Sequence, residues 1–151
     1  MPFSRSSRLP RRLVLGFLAG VLAVLTFHQL AILALSALKL IQGSAYQMRP
    51  VPPLGVPTVA NLAFWGGVWG LVWALIADRL PRRPSPLLLG LVFGAVLPTL
   101  VGWFVVAPLK GQAVAAGWNP ARMWIGPVVN GAWGLGLALF YRLLRRLAGG
   151  R

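Results

Sequence analysis

An all-α membrane protein is the fold class this sequence predicts, with four transmembrane helices arranged as two tandem helical hairpins. Three observations carry that expectation. The chain is 58% hydrophobic with a mean hydropathy of +0.75, against roughly 45–50% apolar usage in soluble domains. Its basic residues gather at the ends of four apolar runs. And the stretch Asn61-Leu-Ala-Phe-Trp-Gly-Gly-Val-Trp-Gly-Leu-Val-Trp73 is echoed by Gly131-Ala-Trp-Gly-Leu-Gly-Leu-Ala-Leu139. At an offset of 64, Gly67, Trp69, Gly70, Leu71, Ala74, Leu75 and Arg82 fall on Gly131, Trp133, Gly134, Leu135, Ala138, Leu139 and Arg146. At an offset of 74, Leu13, Leu15, Gly16 and Gly20 reappear as Leu87, Leu89, Gly90 and Gly94. This pattern reads as one helical hairpin used twice, over about 13–83 and about 87–146.

In chain order, residues 1–12 read as a basic cytoplasmic tail carrying Arg5, Arg8, Arg11 and Arg12, and the transmembrane domain spans 13–147. Leu13 to about Ser36 is an apolar run long enough, at about 1.5 Å per residue, to cross a hydrocarbon core of about 30 Å. A signal peptide with cleavage after Ala34-Leu-Ser36 competes for this segment. Its apolar region is longer than the usual 7–15 residues and its glycines match an internal segment, so a retained helix is expected. Lys39 to Pro57 is a loop whose proline run, Pro50-Val-Pro-Pro-Leu-Gly-Val-Pro57, favours extended backbone. Helix two covers about Thr58 to Ala77, and the short connection from Asp78 to Pro86 reverses the chain. Helix three covers about Leu87 to Val106, with Pro98 expected to kink it. A second loop runs from Pro108 to about Arg122, helix four from about Met123 to Leu144, and 148–151 form a C-terminal tail.

The positive-inside rule orients these spans. The tail, the middle connection and the C-terminus hold 11 basic residues against 4 in the other two loops. Both termini and the connection are therefore expected in the cytoplasm.

Composition also limits chemistry. Lys and Arg total 15 against one acid, Asp78. The cations sit at the ends of apolar runs, which suits membrane flanks and anionic lipid rather than nucleic acid. One carboxylate at a helix end leaves no acid–base pair, carboxylate metal site or intramembrane acid relay. The chain has no cysteine, which removes disulfides, iron–sulfur clusters and covalent haem. No cofactor or metal is implied. Ser36 lies two turns from His28 with no acid to orient the ring, which excludes a serine hydrolase.

Three groups of residues remain as candidates. His28 and Gln29 in helix one, Asn61 at the start of helix two and Asn130 in helix four reach similar depth in the outer half of the membrane. Polar groups there need partners or water, so they form either a hydrogen-bonded knot or a site for a substrate, proton or ligand. Small residues recur every fourth position at Gly16 and Gly20, at Gly66, Gly70 and Ala74, at Gly90 and Gly94, and at Gly126, Asn130, Gly134 and Ala138. Such spacing lets helix backbones approach, and a homo-oligomer interface is the competing use. Trp65, Trp69 and Trp73 form a separate ridge of lipid-facing or packing bulk. Arg79, Arg82, Arg83, Arg142, Arg145 and Arg146 are the expected contacts to anionic lipid.

Together with Phe27-His-Gln29, the proline run 50–57, the segment Ala63-Phe-Trp-Gly-Gly-Val-Trp-Gly70, Ala107-Pro-Leu-Lys-Gly111, Gly117-Trp-Asn-Pro-Ala-Arg-Met123 and Asn130-Gly-Ala-Trp-Gly134, the chain resembles a group of small proteobacterial inner-membrane proteins. The resemblance implies a bacterial inner-membrane location and a four-helix architecture, and it transfers no functional residue. The sequence thus points to a structural or accessory membrane protein whose partners are lipids, further copies of itself or another membrane protein. A small oligomeric transporter or channel is the alternative, and an enzyme comes last. Reporter fusions after Arg83 and Arg151 are expected to read as cytoplasmic and fusions near Gln47 and Ala115 as external; a cytoplasmic Gln47 would reverse the orientation.

Overall fold

The computed structural model describes residues 5–81 and 83–149, so Arg82 lies outside the described residues. Helix α1 runs as Arg5–Ala23, passes through a π-helical turn at Val24–His28 and continues as Gln29–Ala37. The expected basic tail is therefore helical from Arg5 onward. Pro10 removes only one backbone bond near the helix start. Arg12 ties this extension to the next helix through the Ala74 carbonyl at 2.6 Å.

The proline run forms a small antiparallel ribbon, β1 (Pro50–Val51) and β2 (Val56–Pro57), pairing Pro50 with Pro57 and Val51 with Val56. Helix α2 covers Thr58–Ile76 and ends in a 3-10 turn at Ala77–Arg79. Helix α3 covers Pro86–Val101, with Pro86 in its first turn and Ser85 accepting at its side-chain oxygen from the Leu88 amide. Pro98 stands inside α3 without breaking it, and past the end of α3 a π-helical turn follows at Gly102–Val106, where the Gly102 amide donates to the Pro98 and Thr99 carbonyls. The helix then continues through Ala107–Leu109. Helix α4 comprises Pro120–Met123 and Ile125–Gly149, starting earlier and ending later than its hydropathy suggests. Four of these helical segments, Leu9–Ala37, Thr58–Arg79, Pro86–Leu109 and Pro120–Gly149, are long and apolar enough to cross a membrane.

Backbone contact between glycines decides which helices meet. Gly16 lies against Gly70 and Ala74, and Gly20 against Gly66, so α1 and α2 run antiparallel. In the same way Gly90 lies against Gly134 and Ala138, and Gly94 against Asn130 and Gly134, so α3 and α4 run antiparallel. A Cβ at Gly16 would stand 2.6 Å from that of Ala74, and one at Gly134 would stand 2.8 Å from the Gly94 α-carbon. Neither distance is tolerable.

The two pairs join through α1 and α4. The Trp133 indole donates to the Gly20 carbonyl at 3.1 Å in the buried centre, and Phe27 packs its ring where Gly136 has no side chain. Around this joint lie Ala19, Ala23, Val24 and Leu137. Helices α2 and α3 keep their backbones apart and meet through rings, with Phe93 edge-on to Trp73 at 5.2 Å and to Trp69 at 6.0 Å. The tryptophan ridge is consequently not one face. Trp65 is 54% exposed and Trp73 only 2%, because a spacing of four residues drifts by about 40° per step on an α-helix.

Substitutions in the glycine contacts should therefore be costly. Gly70→Leu and Gly134→Leu are each expected to destabilise the protein by about 1–3 kcal/mol or more, the range for overpacking, as a loss of thermal stability in detergent. Val92→Leu, on an exposed side of α3, should leave the midpoint almost unchanged; three equal midpoints would mean the glycines are not in contact.

Candidate functional site

The four polar residues expected to share one network do not do so. Gln29 is 2% exposed, and its side-chain oxygen accepts from the Tyr46 backbone amide at 2.7 Å. Tyr46 in turn donates its hydroxyl to the Leu25 carbonyl at 2.8 Å. This clamp holds the first connection onto α1. His28 makes one long contact, 3.4 Å from its Nδ1 to the Gln29 amide nitrogen. Asn130 donates to the Thr99 hydroxyl at 2.9 Å, joining α4 to α3. No side-chain hydrogen bond of Asn61 occurs among the described residues. The reason is azimuth: comparable depth along three helices does not bring side chains onto facing sides.

At the opposite end of the bundle charged side chains of three helices converge. Asp78, just past α2, accepts from Arg145 of α4 at 2.6 Å through one oxygen and pairs with Arg12 of α1 at 2.8 Å through the other. Three helices are thus tied by the one acid in the chain. Arg145 also stands over the Tyr141 ring, 5.6 Å from its centroid. Of the arginines expected to contact lipid, Arg145 is thereby engaged by protein groups, and Arg79 donates to the Leu75 carbonyl at 2.6 Å, closing the end of α2. Arg83, Arg142 and Arg146 are exposed and form no salt bridge among the described residues.

A cleft of about 540 Å³ opens beside this cluster, between the end of α2, the start of α3 and the last turns of α4. Leu80, Leu89 and Ala138 give it apolar walls, and Arg142, Arg145 and Arg146 a cationic rim. Trp73 and Tyr141 also line it, 2% and 3% exposed. Among the described residues the Trp73 indole N–H and the Tyr141 hydroxyl meet no acceptor, and neither does Arg12 Nε. A buried donor left unpaired costs about 1–3 kcal/mol. The composition of the sequence hid this site: Trp73 reads as packing bulk, and no pattern singles out Tyr141, until α2 and α3 are seen to stand apart. The one available signal was Asp78, which must be contested among so many cations.

The clamp at the far end generates a direct test. Gln29→Leu removes the acceptor for the Tyr46 amide and should cost about 1–3 kcal/mol, whereas His28→Ala, which loses one long contact, should cost less. Equal losses of thermal stability for the two variants would show that Gln29 does not hold the connection.

No protein-family model, curated protein or solved structure matches the chain.

Proposed function

We propose that the chain is a multi-pass protein of the bacterial inner membrane, built from two copies of one helical hairpin inserted the same way round, with both termini and the 78–86 connection in the cytoplasm. It works as a structural or accessory component that engages anionic lipid headgroups with its arginine-rich end. Insertion is supported by the four long apolar helices and by large aliphatic side chains exposed along them, among them Leu18, Leu22, Val92, Val96 and Leu100. Duplication is supported by the matched residues, since the Gly16–Gly70 and Gly90–Gly134 contacts link positions related by the offsets of 74 and 64. Because each copy has an even number of spans, both would share one orientation.

The single observation that carries the lipid reading is the charge left over at one end. Asp78 is shared by two arginines, and Arg83, Arg142 and Arg146 add three exposed cations beside apolar helix surface. Each such cation near an anionic surface is worth about 1 kcal/mol. The transporter alternative, with its polar site in the outer half, draws less support: Gln29 is committed to the Tyr46 amide, and Trp133 and Leu137 fill the centre of the bundle.

In nanodiscs the protein should be more thermally stable, and retain more lipid through purification, with phosphatidylglycerol than with phosphatidylcholine alone. Raising the salt should erode the difference. Identical behaviour in the two lipids at low salt would refute the lipid reading.

A further inference from the structure

We infer that the cleft between α2, α3 and α4 is a specific site for the phosphate of a single anionic lipid headgroup, recognised by the Trp73 indole N–H and the Tyr141 hydroxyl from below and by Arg142 and Arg146 at the rim. The inference rests on the membrane reading above and deepens it from a diffuse attraction to one built site. Three observations converge on it. First, two side chains more than nine-tenths buried line the cleft, each with an unpartnered donor. Buried donors in folded proteins are almost always paired, and a phosphate oxygen is a strong acceptor for both. Second, the local charge calls for an anion. The one carboxylate in the cleft is Asp78, and both of its oxygens are already held by arginine, Arg12 on one side and Arg145 on the other. It forms no salt bridge with Arg142 or Arg146 among the described residues, and the sum of these charges stays positive. Third, the space is suitable, since about 540 Å³ falls within the roughly 300–1,000 Å³ of small-molecule sites.

A free phosphate would satisfy the same donors, but the walls distinguish the two sources. Leu80, Leu89 and Ala138 line the cleft beside the polar groups, and it lies where α2 and α3 keep their backbones apart. A headgroup carrying acyl chains can cover apolar walls that inorganic phosphate leaves wet. The ligand is accordingly a glycerophospholipid with an anionic headgroup.

The test is a titration of short-chain phosphatidylglycerol into the purified full-length protein in phosphatidylcholine nanodiscs, read by native mass spectrometry. The native chain is expected to retain one phosphatidylglycerol per protein, saturably. Tyr141→Phe and Trp73→Phe remove the donors while keeping the rings; together they should weaken that binding about tenfold or more, as the loss of two hydrogen bonds to a charged group implies. Arg142→Gln with Arg146→Gln should weaken it as well. Arg79→Gln with Arg83→Gln, away from the cleft lining, should leave the single site intact and reduce only the general preference for anionic lipid. Where the double ring variant fails to assemble, Tyr141→Phe alone decides the matter, since it deletes one oxygen atom. Unchanged single-site binding in the ring variants, while the native chain still prefers anionic lipid, overturns this inference and leaves the broader reading standing. No preference in the native chain overturns both. Displacement of the lipid by inorganic phosphate at equal concentration overturns the choice of lipid as the source.

Discussion

Backbone contact across glycine is the constraint from which the rest of this bundle follows. Lipid tails are as apolar as leucine, so helices in a membrane gain little by hiding aliphatic side chains from it, and close packing has to supply the association. Gly16 against Gly70 and Gly90 against Gly134 bring helix axes near enough that a single methyl group has no room. Contacts of this kind leave α-carbon hydrogens beside carbonyl oxygens, a weak but repeated attraction. The seam has a further consequence at Gly20. With no side chain there, its carbonyl is open to the Trp133 indole from α4, so the contact that joins α1 to α2 also prepares the contact that joins the two pairs.

The pairs are not joined evenly. If the halves obeyed a perfect twofold, the α1–α4 joint would be matched by an equal α2–α3 joint. Instead Trp133 reaches a backbone carbonyl, while its counterpart at the offset of 64, Trp69, packs edge-on against Phe93. The position matching Gly66 is Asn130. Its side chain is directed to Thr99, so a polar group closes α3 onto α4 where glycine alone serves in α1 and α2. One side of the bundle is closed by backbone contact and the other is held by aromatic rings, and the cleft at the arginine-rich end opens on the ring-packed side.

The four long helices and the small-residue seams were legible because both are written in local pattern: apolar length for one, spacing of four for the other. The partners were less legible. Glycine spacing marks which face of a helix is thin, not which helix lies against it. Polar partnerships were the least legible, since Gln29 finds a backbone amide of Tyr46 in a connection and Asn130 finds Thr99, where depth alone had suggested His28 and Asn61. Trp65 and Trp69 precede Trp73 at regular spacing, yet the helix turns Trp73 inward against Phe93. Arginine counting treats the members of the charged end as equivalent. Asp78 engages Arg145, the Leu75 carbonyl takes Arg79, and Arg83, Arg142 and Arg146 form no salt bridge among the described residues.

Helix α4 links the seam to the cleft mechanically. Gly134, Ala138, Tyr141 and Arg145 recur at spacings of four, three and four and so share one face. The first two meet Gly90 of α3, and from Ala138 onward the same stripe lines the cleft and reaches Asp78. Packed backbones yield little, so the Gly90–Gly134 contact sets how far the last turns of α4 stand from α2. Asp78 sets the same distance from the other end, by drawing Arg145 and Arg12 toward the end of α2. An exposed ion pair adds only about 0–1 kcal/mol to stability, so the worth of this acid lies in geometry. It fixes the bearing of three helices around a space in which Trp73 and Tyr141 find no acceptor among the described residues.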